Sequence, residues 1–259
     1  MKLRSRSRRY LLLEIVILIY ISFVLSSDLF DISTDMKDMY LYYFSYNFIG
    51  EDIEILNIVI SILPISIIIA MFSDVVSYEL EKNSVYFFTR TKKRSKWLLK
   101  WFGDILLELV KVNFILFFIS YIVFYLFGYR VVHINEFIYI VLKLFLSTIL
   151  VQYILIILSN IVNIKLESVY GYITSNIIYI ISILDLYFIS LDNIKFIKFI
   201  PFTQNIVLTQ DIKYIDRSIR YFSNFIAGYS FQEAMIYGFC ILIILMLIGT
   251  RVIKTAEFY

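Results

Sequence analysis

A single histidine, His133, and a single cysteine, Cys240, put a low ceiling on the chemistry that this chain of 259 residues can perform. A hydrolytic metal centre needs several His or acidic ligands grouped on helices, and one histidine cannot supply them. No motif surrounds a Ser–His nucleophile pair. Cys240 has no partner for an intramolecular disulfide and sits in an apolar run, where a small core residue is the expectation. The seven glycines are isolated, and no G-x-x-x-x-G-K-[ST] loop occurs to cradle a phosphate. The chain is expected not to be an enzyme, and to hold no cofactor or metal of its own.

Ionisable residues inside apolar stretches are the next candidates, because a charge in hydrocarbon is costly and marks a functional place by default. Asp104, Glu108 and Lys111 recur at helical spacing and share one face. Asp104 is expected at the water interface. Glu108 and Lys111 can pair at i, i+3. They are expected to form an intramembrane charge pair, structural first, with gating or conduction as the alternative. Glu14 and Lys143 are expected to snorkel or to pair between helices. Tyr172, Ser175, Tyr179 and Ser182 also recur at helical spacing, with Asn176 alongside. Such a polar stripe hydrogen-bonds across helices or faces a cavity. It is expected to face a partner subunit or a substrate route, with ordinary helix packing as the alternative.

The elements that must position these residues are membrane helices. Hydrophobic residues make up 61% of the chain and the mean hydropathy is +0.82, against about half apolar in an ordinary soluble domain. The excess lies in runs at about residues 10–26, 55–72, 102–127, 137–158, 169–188 and 234–253. Each is near the roughly 20 residues that cross a bilayer as a helix, and lipid offers the backbone no other partner. The expected fold is therefore all-α, a single polytopic domain over residues 1–259 with six transmembrane helices. Glu14 interrupts the first run and no small-x-small cleavage site follows, so a membrane helix is expected there rather than a signal peptide. Pro64 is expected to bend the second helix.

Cations set the expected orientation. Lys2, Arg4, Arg6, Arg8 and Arg9 precede the first helix, and Lys82, Arg90, Lys92, Lys93, Arg94, Lys96 and Lys100 lie between the second and third. The short segments on the other side hold only Lys37 and Arg130. Both termini are expected inside, in a multi-pass protein of the cytoplasmic membrane. Residues 27–54 read as a polar, acidic outer loop. Asn160 and Asn163 fall in a short link between helices four and five. Residues 190–233 form a long outer segment with an apolar stretch around Pro201 that is too short to span. A re-entrant hairpin and an interfacial amphipathic loop fit it equally. Topology accounts for the basic charge, so nucleic acid is not an expected partner.

The segment at about residues 73–101 does more than fix topology. It opens with Glu79 and Glu81 and then groups Val85, Tyr86, Phe87 and Phe88. Bulky apolar residues grouped in a polar loop need a covering surface, a membrane interface or a protein partner. Glu79 and Glu81, Ser84, then Phe87, Phe88, Thr89 and Arg90, then Arg94, Trp97 and Lys100 resemble the cytoplasmic signature of the ABC type-2 export permeases. In that signature an acidic residue and Gly-Thr precede two apolar residues and Thr-Arg or Thr-Pro, and an Arg and a Lys open the third helix. Here Asn83-Ser84 stands where Gly-Thr is usual, and Arg90-Thr91 where Thr-Pro is common. The layout is similar over nearly the whole chain.

The resemblance implies a mechanism. Two permease subunits, identical or different, pair in the membrane, and each docks on a separate ABC ATPase subunit that binds ATP and Mg. Glu79, Glu81, Phe87, Phe88, Thr89, Arg90 and Arg94 would form the ATPase-coupling surface. Tyr172, Ser175, Asn176, Tyr179 and Ser182 would lie near the dimer interface or the pathway. The expected function is export of a hydrophobic or amphipathic substrate, an antimicrobial peptide first. The alternatives are a membrane immunity or sensor protein that binds a peptide without moving it, and a channel or secondary carrier.

Overall fold

The computed structural model describes residues 11–22, 33–45, 55–90, 94–166, 168–188, 196, 198–219, 222–223 and 225–255. Among them are eight α-helices: α1 Leu11–Ser22, α2 Met36–Phe44, α3 Ile55–Phe72, α4 Val75–Arg90, α5 Arg94–Leu126, α6 Ile134–Asn163, α7 Ser168–Phe188 and α8 Phe231–Thr255. No strand forms among the described residues beyond an isolated bridge between Asp35 and Arg130. Four segments are long and apolar enough to cross a membrane: Ile62–Lys82, Arg94–Leu126, Ile134–Asn163 and Phe231–Thr255. They mark the chain as an all-α membrane protein. The apolar helices Leu11–Ser22 and Val169–Asp185 are shorter.

α6 is the axis of the bundle. Its residues from Ser147 to Ile157 are buried on every side, as expected for a helix apolar all round. It packs against α2, α3, α4, α5, α7 and α8. At 30 residues it is about 45 Å long, so it connects two ends of the molecule with different chemistry. α5 buries one stripe, Leu98, Phe102, Ile105, Leu109, Val112 and Leu116, and turns Leu107, Phe114 and Phe118 outward. That is the period of a helix half-embedded in its own bundle.

Several helices begin earlier than their apolar runs. α5 starts at Arg94 rather than near residue 102, so its charged first turns are already helical. α8 starts at Phe231 because a capping box holds it: Ser230 Oγ accepts from the Glu233 amide, and Glu233 Oε2 accepts from the Ser230 amide. α6 runs on through Asn160 and Asn163, which corrects their placement in a link.

Two loop expectations also change. Within the segment read as an outer loop, residues 33–45 carry α2, whose residues from Met36 to Tyr42 are all buried. The Asp35 carboxylate caps it by accepting from the Lys37 amide, and the Arg130 backbone accepts from the Met36 amide and donates to the Thr34 carbonyl. The long segment before α8 forms no helical hairpin among its described residues. Those described residues run in turns and short 3-10 pieces, Val207–Thr209 among them, and residues 202–210 are buried. Cys240 is exposed on α8, not a core residue as expected, because the buried face of α8 is carried by Ala234, Gly238, Leu242 and Gly249.

Candidate functional site

The charged segment after α3 forms a helix of its own. Ser73 and Asp74 make a tight turn, and α4 then runs from Val75 to Arg90. Its first turn is fastened to α6 by neutral amides. Asn160 Oδ1 accepts from the Val76 amide at 3.0 Å, and Asn160 Nδ2 donates to the carbonyls of Phe72 and Ile156 at 2.8 and 2.9 Å. Asn163 Nδ2 donates to the Ser73 carbonyl at 2.7 Å, while its Oδ1 accepts from the Gly171 amide at 2.7 Å. One asparagine thus ties the α3–α4 turn to α6, and the next ties it to α7 as well. A buried amide answers the open backbone groups of a helix end. Sequence reasoning missed both residues. The signal was present: two asparagines at i, i+3 that close an apolar helical run.

Glu79 is half-buried on α4, Glu81 is exposed, and Arg94 opens α5 partly covered. The backbone of Phe87, Phe88, Thr89 and Arg90 is helical, and their side chains lie outside what the structure describes.

The polar stripe of α7 is turned into the bundle. Ser175 Oγ donates to the Leu155 carbonyl of α6 at 3.0 Å, and Ser66 Oγ of α3 donates to Asn176 Oδ1. Ser182 donates back to Ile178 at 2.9 Å. Tyr172 is half-buried, and Tyr179 is buried with its hydroxyl accepting from Asn205 Nδ2 at 3.4 Å. The outward face of α7 carries Val169, Tyr170, Ile173, Ile177 and Ile181 instead.

Tyr179 borders a cavity of about 60 Å³ between α1, α2, α3, α5, α6, α7 and the segment before α8. Its polar lining is Glu14, Tyr43, Ser45, Asn113, Thr148, Gln152, Tyr179 and Asn205. Asn113 Nδ2 donates to Gln152 Oε1 at 2.7 Å, and Ser45 Oγ accepts from the Leu208 amide at 2.9 Å. Desolvation, with the Glu14 carboxylate adding to it, holds the Tyr43 phenol well above its ordinary range. Glu14 is 4% exposed and its Oε2 has no partner. It neither snorkels nor pairs between helices, because α1 turns it inward. Among the described residues Lys143 makes no ion pair either; its ammonium lies over the Tyr139 and Phe231 rings at 4.2 and 5.0 Å.

Glu108 and Lys111 do meet, at 2.8 Å, on the outward face of α5 with 32% and 61% of their side chains exposed. They are far from the cavity lining in role, since neither contributes to it. Among the described residues no three His, Cys, Asp or Glu side chains form a metal-binding group.

The site therefore has two parts joined by α6 and α7, a clamped helix at one end and a polar cavity along the axis. No family model matches the chain, and comparisons with characterised proteins and with solved structures give no match either.

Proposed function

We propose that the chain is the membrane permease subunit of an ATP-driven exporter. In this reading it is a six-span protein of the cytoplasmic membrane with both termini inside, α1 and α7 serving as the two further crossings. It works in a permease pair with separate ATPase subunits that bind ATP and Mg, and it moves a hydrophobic or amphipathic cargo, a peptide first.

The observation that carries the proposal is α4, a distinct helix in the segment with the coupling-like residues, hydrogen-bonded at its first turn to α6 and through Asn163 to α7. A push on α4 from an ATPase would reach Phe72, Ser73 and Val76, pass through Asn160 and Asn163, and arrive at the helices that line the polar cavity. Such a relay needs rigid elements joined by bonds that can exchange, and helix–amide contacts have that property. The cations around α4 favour the cytoplasmic side for it.

The test is co-purification of the chain with a separate ATPase subunit. Replacing Phe87 and Phe88 by Ala, or Glu79 and Glu81 by Gln, is expected to abolish that association while the chain still inserts in the membrane. Undiminished ATPase binding by these variants overturns the coupling role of α4. Absence of any ATPase partner for the unaltered chain overturns the exporter.

A further inference from the structure

The cavity along α6 holds a surplus of acceptors. Glu14 Oε2, Thr148 Oγ1 and Asn205 Oδ1 are all buried without a hydrogen-bond partner, and all three residues line the same space. The lining contains no lysine, arginine or histidine. A carboxylate enclosed in this way costs several kcal/mol unless something neutralises it. Buried polar oxygens in native proteins are hydrogen-bonded or otherwise partnered, so three unpartnered ones in residues lining one cavity call for an explanation.

From this geometry we infer that the cavity is a binding site for a monovalent alkali-metal cation. Glu14 supplies the charge, and the Thr148 hydroxyl and Asn205 carbonyl oxygen supply neutral ligands. Gln152 Oε1, which takes only one hydrogen bond from Asn113, has a second lone pair to offer. All-oxygen ligation suits a hard cation. One carboxylate fits a single positive charge better than a divalent ion. The volume of about 60 Å³ leaves room for the ion with one water, which takes about 30 Å³ of liquid. The ligands come from α1, α6 and the turn before α8, so an ion would tie three elements together. The site stands independently of the exporter reading.

The test uses the full chain in detergent with choline as the only other cation. The thermal unfolding midpoint is followed as NaCl or KCl replaces choline chloride at constant ionic strength. An ion that binds only the folded chain stabilises it as RT ln(1 + [ion]/Kd), so a cation-specific rise that becomes logarithmic above Kd is expected. E14Q keeps the side-chain volume and is expected to lose the response. T148V and N205A are expected to weaken apparent affinity about tenfold, the size of one hydrogen bond to a charged group. The same rise in E14Q, or no difference between alkali cations and choline, overturns the site. So does a midpoint that responds to acidification alone, which would make a proton the occupant. Among the described residues the titratable side chains that line the cavity with Glu14 are Tyr43 and Tyr179, and neither charges near neutral pH.

Discussion

The two ends of α6 are held by different kinds of bond. At the N-terminal end, Lys37 is gripped by Glu136 and lies 3.8 Å from Asp35. Arg217 donates to the carbonyls of Leu208, Gln210 and Phe222 and stacks over Phe225 at 4.2 Å. Around them Tyr40 packs edge-on against Phe124 and Phe137, and Phe44 stacks on Phe117 at 4.1 Å. At the C-terminal end the contacts that fix the α3–α4 turn are amides of Asn160 and Asn163. A charged group that loses its partners in a low-dielectric setting is left exposed to a large cost, whereas a neutral amide can exchange one carbonyl for another at about 1 kcal/mol. The first end is built to stay shut. The second can exchange its bonds at lower cost, as the proposed coupling role of α4 requires.

The comparison breaks most visibly at Arg217. Removing its side chain leaves the Leu208 and Phe222 carbonyls unanswered, each worth about 1–3 kcal/mol, while the Gln210 carbonyl keeps its bond from the Ile212 amide. R217A is expected to lose about 4 kcal/mol by that sum, and limited proteolysis between residues 198 and 230 should become rapid. Burial lowers the Arg217 pKa to about 10, with Asp211 partly opposing, so the staple keeps its charge at neutral pH and stays in place to about that value. If R217A melts with the unaltered chain and resists protease equally, the segment before α8 is held by packing alone.

Gly171 is the next largest effect, and it tests the other end. A Cβ there would lie 2.2 Å from the Ser159 carbonyl and 2.3 Å from Asn163 Oδ1. G171A must push α7 off α6, at about 1–3 kcal/mol for an overpacked contact. It also breaks the bond from the Gly171 amide to Asn163. A smaller loss, about 2 kcal/mol, is expected for N160A, which strands the Val76 amide and the Phe72 carbonyl. Under the proposed relay both variants should cut coupling of transport to ATP hydrolysis by more than their effect on the melting midpoint implies. Equal losses of stability and transport would make the asparagines structural only.

Much of the helical frame was legible because apolar length is a strong signal in a membrane protein. The 55–72 run became α3 with the same bounds, and 169–188 became α7 within one residue. What escaped depends on tertiary burial. α2 looked like loop because Asp35, Lys37 and Asp38 are charged, yet Ser33 donates to Asp38, Glu136 of α6 accepts from Lys37, and Asp35 caps the helix. The Glu108–Lys111 pair was readable from spacing, since both partners sit on one helix. The Glu14 cavity was not, because its lining comes from elements far apart in sequence. The α7 stripe could be seen, but its direction could not; that took the contacts of Ser175 with α6 and Ser66 with Asn176.

Asp38 gives an effect that appears only as pH changes, and it refines the account of the shut end. Its Oδ2 accepts from Ser33 Oγ at 2.6 Å, while Oδ1 is buried without a partner. Burial raises its pKa from 3.8 to about 6; the Ser33 bond and Lys37 oppose, and Asp35 adds. A carboxyl whose folded pKa lies above its unfolded value binds its proton more tightly in the folded chain. Its contribution is therefore favourable below pH 3.8, is lost as pH rises towards 6, and is flat above that. The unaltered chain should lose about 2–3 kcal/mol from this group over that window, by the linkage of about 1.4 kcal/mol per pKa unit. D38N removes the titration, keeps an oxygen for Ser33 and places an amide where Oδ1 is stranded. It should melt a few degrees higher at pH 7.5 and match the unaltered chain near pH 4, read as the difference between two melting curves across pH. A difference that does not vary with pH would mean that Asp38 is ionised in the fold at all these values, with Lys37 rather than a proton answering its charge.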